Sequence, residues 1–123
     1  RSQYAAATMQ YYPKGKWIVF AIGDCGRGIR ETLSENPKYS YLAEKPHYES
    51  ALKAFEASVG RIEGGMGLTQ VQEDVLNLKG YLSLSTGDGF VHYSSTTPMI
   101  GDMAYDLPGV QIEIGIPAGK SDK

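Results

Sequence analysis

Ile18-Val19-Phe20-Ala21-Ile22-Gly23-Asp24-Cys25-Gly26-Arg27-Gly28-Ile29 is the stretch whose reading decides the fold. The apolar run Trp17 to Ile22 reads as a strand buried on both faces. It ends in a single carboxylate, Asp24, which a buried strand end solvates poorly and which therefore needs a hydrogen-bonding partner. Gly26 and Gly28 let the backbone turn sharply and bring its N–H groups close to something outside the chain. Further on, Glu63-Gly64-Gly65-Met66-Gly67-Leu68-Thr69 is a second glycine cluster, and it opens a helical pattern. Two glycine-rich loops and one buried acid point to a nucleotide site.

The composition suits that reading. A chain of 123 residues is one domain with a single core. Its 41% hydrophobic and 21% charged residues are ordinary for a globular protein. A net charge of -2 argues against a nucleic-acid surface. The lone Cys25 rules out an intrachain disulfide and fits a reducing, cytoplasmic setting. No apolar run approaches the roughly 20 residues that span a bilayer, so no membrane contact is expected. The chain opens at Arg1 inside what reads as a strand, which suggests a piece of something longer.

Working outward, Tyr4 to Tyr12 pairs with Trp17 to Ile22 as a hairpin across the Pro13-Lys14-Gly15-Lys16 turn. A short helix is expected from Ile29 to Leu33. Ser34 to Pro46 shows no period and reads as a mobile loop. Tyr48, Ala51, Leu52, Phe55 and Val59 follow helical spacing up to Gly60. A further helix starts near Thr69, with Leu68, Val71, Val75 and Leu78 on one face and Gly80 as its stop. Leu82 and Leu84 alternate with polar neighbours, and Gly87-Asp88-Gly89 is a turn into Phe90-Val91-His92-Tyr93. Thr96 to Pro108 reads as irregular. Val110, Ile112, Ile114 and Ile116 alternate with polar or small residues as a strand with one buried face, stopped by Pro117.

In this order the residues resemble the ATP-binding domain of the GHKL superfamily, shared by sensor histidine kinases, gyrase B, Hsp90 and MutL. Ile22-Gly23-Asp24-Cys25-Gly26-Arg27-Gly28-Ile29 is similar to the family's D-x-G-x-G box. Gly65-Met66-Gly67-Leu68 is similar to its G-x-G-L box, Gly80 to Ser85 to the strand that follows, and Pro108 to Pro117 to its closing strand. The matches cover Trp17 to Pro117. The resemblance implies an α+β two-layer sandwich, the Bergerat fold, with a mixed but mostly antiparallel sheet and helices on one face. It implies ATP with Mg2+ as the ligands and a histidine-kinase-like ATPase or kinase as the parent activity. A non-catalytic switch module that holds ATP or ADP is the alternative.

Three departures stand out. The family's helix carrying the magnesium-binding Asn should precede Tyr4, so the metal ligand and the catalytic group are expected outside this chain. The chain alone is therefore expected to be inactive, and no catalytic residue is assigned. Val110 stands where the family carries a threonine that contacts adenine through water. Thr69 replaces the third glycine of the second box, and threonine is a good helix N-cap. Other domains of a longer parent are the expected partners, and a homodimer is left open.

The chemistry follows the two boxes. Asp24 is the natural acceptor for the adenine amino group, with Gly26, Gly28 and Ile29 shaping the base site. Gly65, Met66, Gly67, Leu68 and Thr69 sit at a helix N-terminus, where free N–H groups favour phosphates. Ser34 to Gly64 would form a lid over the nucleotide. Arg27, Arg30 and Arg61 read as solvated surface arginines. His47 and His92 have no partner at metal-ligand spacing, and Cys25 reads as a small packed thiol. A P-loop and a Rossmann fingerprint are both excluded by the glycine spacing.

Overall fold

The computed structural model describes residues 5–24, 26–56 and 67–118. Along the chain lie β1 (Ala5–Tyr12), β2 (Trp17–Asp24), α1 (Ile29–Ser34), a 3-10 helix (Pro37–Glu44), α2 (His47–Ala54), α3 (Leu68–Asn77), β3 (Tyr81–Tyr93) and β4 (Met99–Pro117). The strands form one sheet in the order β1-β2-β4-β3. All three pairings are antiparallel, so among the described residues the sheet is not mixed. This is an α+β fold.

The first hairpin forms as the sequence predicts. Tyr12 pairs with Trp17, Lys16 takes a left-handed φ of 58°, and its N–H bonds the Tyr12 carbonyl at 2.7 Å. The turn after Thr86 also forms. Eleven residues of extended strand would span roughly 36 Å, yet the Tyr81 and His92 rings stack with centroids 5.5 Å apart. Ser83 Oγ also contacts His92 Nδ1. β3 therefore doubles back at Gly87-Asp88-Gly89, where Gly87 has φ 57°, the conformation a two-residue hairpin with glycine first requires.

The core lies between the helices and one face of β3 and β4. Ala51 and Phe55 from the α2 region, Val75 from α3, and Leu82, Leu84, Val91 and Tyr93 from β3 are buried together. Ile112, Ile114 and Ile116 of β4 pack against them as the alternation predicts. On the opposite face an open trough of about 450 Å3 is lined by Thr8, Ala21, Gly23, Ser83 and Gln111, with Ile22 and Ile112 at its walls.

β2 departs from expectation. It is hydrogen-bonded on both edges, between β1 and β4, but not covered on both faces. Ile22 is 46% exposed, and Met9 and Tyr11 of β1, paired with Phe20 and Ile18, are 67% and 53% exposed. The helices stand over β3 and β4, so β1 and β2 give the buried cluster no residue. The apolar run reflects a central strand's preference for branched and aromatic residues.

Three further expectations are corrected. Ser34 to Pro46 contains a 3-10 helix, because Asn36 and Pro37 supply a start signal: the Asn36 side chain accepts the Lys38 N–H at 2.9 Å. Leu42 anchors that helix at 1% exposure, and α2 is core, so the expected lid does not extend over residues 34–56. Residues 99–108 belong to β4, and Met99 to Asp102 pair with Gly89 to His92 of β3; the side chains of 99–108 are mostly exposed, which is why no alternation marks them. Finally, Leu78 is 57% exposed and α3 stops one residue earlier than predicted, at Lys79 with φ 65°. Gly80 has another role: a Cβ there would sit 2.2 Å from the Gly115 carbonyl.

Candidate functional site

The end of β2 lies in a row that crosses three strands. Asp24 is paired with Val110 of β4, and Val110 with Thr86 of β3. The Asp24 carboxylate itself lies outside the described structure, as do Cys25, Gly65 and Met66. Beyond the strand, Gly28 is the N-cap of α1, with an extended backbone (φ -76°, ψ 174°).

Thr86 fastens this loop. It is fully buried. Its Oγ1 accepts the Ile29 N–H at 3.1 Å and donates to the Gly109 carbonyl at 3.1 Å. One hydroxyl thus ties the start of α1 to β4. A Cβ on Gly28 would stand 3.0 Å from that oxygen, a tight contact that Thr86 would have to yield to by a few tenths of an ångström. Sequence reasoning missed Thr86. The signal was there: Leu82, Leu84 and Thr86 share one phase, which places a hydroxyl on the apolar face.

The second glycine box is described from Gly67 onward. Gly67 caps α3 with φ -81° and ψ 163°, and its carbonyl accepts the N–H groups of Gln70 and Val71. Leu68 packs on the core. Thr69 is already committed: its hydroxyl donates to the Phe55 carbonyl. That bond ties the first turn of α3 to the residue that follows α2, so Thr69 acts as a fastener rather than as a side-chain cap of α3.

The arginines divide. Arg27 pairs with Glu35 and, at 3.7 Å, with Glu31. Arg30 donates from Nη1 to the Lys45 carbonyl at 2.8 Å and makes no ion pair among the described residues. Arg61 lies outside them. On the open face, the Tyr81 phenol bonds Glu113 Oε2 at 2.5 Å. Burial, then the Glu113 hydrogen bond and charge, push its pKa up to about 12. The described residues hold no group of three His, Cys, Asp or Glu able to take a metal ion.

No helix among the described residues is long and apolar enough to cross a membrane. The chain matches no protein-family model and no curated protein.

Proposed function

We propose that this chain is an ATP-binding domain of the GHKL type, built on the Bergerat fold and belonging to a histidine-kinase-like ATPase. The observation that carries the reading is the row Asp24, Val110 and Thr86 at the end of the sheet, with the Gly28 loop fastened beside it. The α+β layout, with helices on one face, agrees with it. In this reading Asp24 accepts the adenine amino group, where guanine presents a carbonyl and is refused. The Gly65 to Gly67 segment leads into α3, whose N-terminal end favours the phosphates. These residues support binding, and no catalytic residue is assigned.

The test is equilibrium titration of the chain with ATP, ADP and GTP, with and without Mg2+. Adenine nucleotides should bind about tenfold or more tightly than GTP, since a mismatched buried hydrogen bond costs about 1–3 kcal/mol. Equal affinity for ATP and GTP would overturn the reading. So would the absence of saturable binding.

A further inference from the structure

β1 ends the sheet on one side and, among the described residues, pairs with β2 alone. Alternate residues therefore turn their backbone N–H and C=O groups outward with no strand beside them, and every side chain from Ala6 to Tyr12 is exposed. Edge strands are commonly blunted by a lysine, a proline or a bulge. β1 has none of these. It reads AAATMQYY, without a charge or a proline, and its register with β2 runs unbroken from Ala5 to Tyr12. One face of it is also uncovered. Met9 and Tyr11 pair with Phe20 and Ile18, which pair in turn with Ile114 and Ile116, and those two pack on the core. Opposed residues share a face, so Met9 and Tyr11 stand on the helix side of the sheet, yet both are exposed.

The order of side chains along β1 says what fits it. Alanines fill its first end, Ala5 to Ala7, and tyrosines its last, Tyr11 and Tyr12. An antiparallel copy of the same strand, related by a two-fold axis through Met9 and normal to the sheet, matches bulk to space. Tyr11 then lies opposite the partner's Ala7, and Tyr12 opposite the partner's Ala6. Met9 meets the partner's Met9. Gln10, whose side-chain oxygen accepts the Tyr12 hydroxyl at 3.1 Å, lies opposite the partner's Thr8 with its amide hydrogens left to donate. Each residue stays on its own face, and no charge opposes a charge. A parallel, in-register pairing would instead set tyrosine against tyrosine and leave the alanine end unfilled.

We propose that β1 is a homodimer interface, in which two copies join edge to edge through Ala6 to Tyr12 as one continuous antiparallel sheet. The contact is isologous and closes at two copies. A single strand edge is a small interface beside the roughly 800 Å2 per partner of a standard one. The dimer is accordingly weak, on the order of micromolar or weaker. It uses none of the residues assigned to ATP and stands apart from the nucleotide reading.

The experiment is sedimentation equilibrium of the full chain, without nucleotide, from about 10 μM to about 1 mM. A monomer–dimer equilibrium with no larger species is expected. Met9→Lys and Met9→Glu change an exposed side chain, and each sets like charges directly opposite in the dimer. Each should weaken dimerisation severalfold to about tenfold. An equimolar mixture of the two variants sets opposite charges face to face and should associate more tightly than either alone. A native chain that stays monomeric throughout, growth beyond dimers, unchanged dimerisation of Met9→Lys, or a mixture no tighter than its components would each overturn the proposal. If a variant loses its fold, isotope-filtered NMR of the native dimer decides. Contact between the Tyr11 ring and the partner's Ala7 methyl supports the pairing, and its absence in a dimer overturns it.

Discussion

The Thr86 hydroxyl donates to the Gly109 carbonyl while accepting the Ile29 N–H, each at 3.1 Å. β3, β4 and the first turn of α1 therefore share one buried oxygen. Thr86→Val keeps the shape and removes that oxygen, leaving a donor and an acceptor unmatched. The chain should lose about 1–3 kcal/mol, read as a lower urea midpoint with an unchanged m-value. Thr86→Ser, which keeps the hydroxyl, should lose less. A Thr86→Val midpoint equal to the native one would show that the bond contributes nothing.

Gly80 gives a second prediction. A Cβ at this position meets the Gly115 carbonyl at 2.2 Å, and also Ile116 and Val75 at 3.0 and 3.2 Å. The nearest obstacle is backbone in a paired strand, which cannot swing aside like a side-chain tip. Gly80→Ala should therefore destabilise the chain by about 1–3 kcal/mol through overpacking. Thermal unfolding would check this, and an unchanged midpoint would refute it.

Much of this fold was legible because local chemistry and tertiary context agree. Pro13 to Lys16 marks the first hairpin, Gly87-Asp88-Gly89 the reversal of β3, and Val110 to Ile116 a strand with one covered face. What escaped depends on packing at a distance. The 3-10 helix has no long apolar period and buries one residue, Leu42. Met99 to Asp102 are strand because β3 offers them a partner, not because of their own alternation. In the candidate site, Gly28 was legible as part of a glycine loop, but Thr86, which packs against it, lies 58 residues away along the chain.

Tyr81 sets an alkaline limit. Its folded-state pKa is pushed up to about 12 from the ordinary 10.0, first through burial and then through Glu113. Between those values the unfolded chain has released a proton that the folded chain retains, so folding weakens as pH rises through that window. Below pH 10 the contribution is constant. Urea midpoints of native chain and Tyr81→Phe, compared from pH 9 to pH 12, should diverge with the native protein falling faster. Parallel curves would contradict the assignment.

Adenine recognition by Asp24 is the central claim, and Asp24→Asn tests it most directly. The substitution keeps the size of the side chain and places a donor where the adenine amino group needs an acceptor. The measurement is the equilibrium dissociation constant for ADP of native and Asp24→Asn chains, side by side. The account predicts roughly tenfold weaker binding or more in the variant. Equal dissociation constants, in two chains of equal stability, would contradict it.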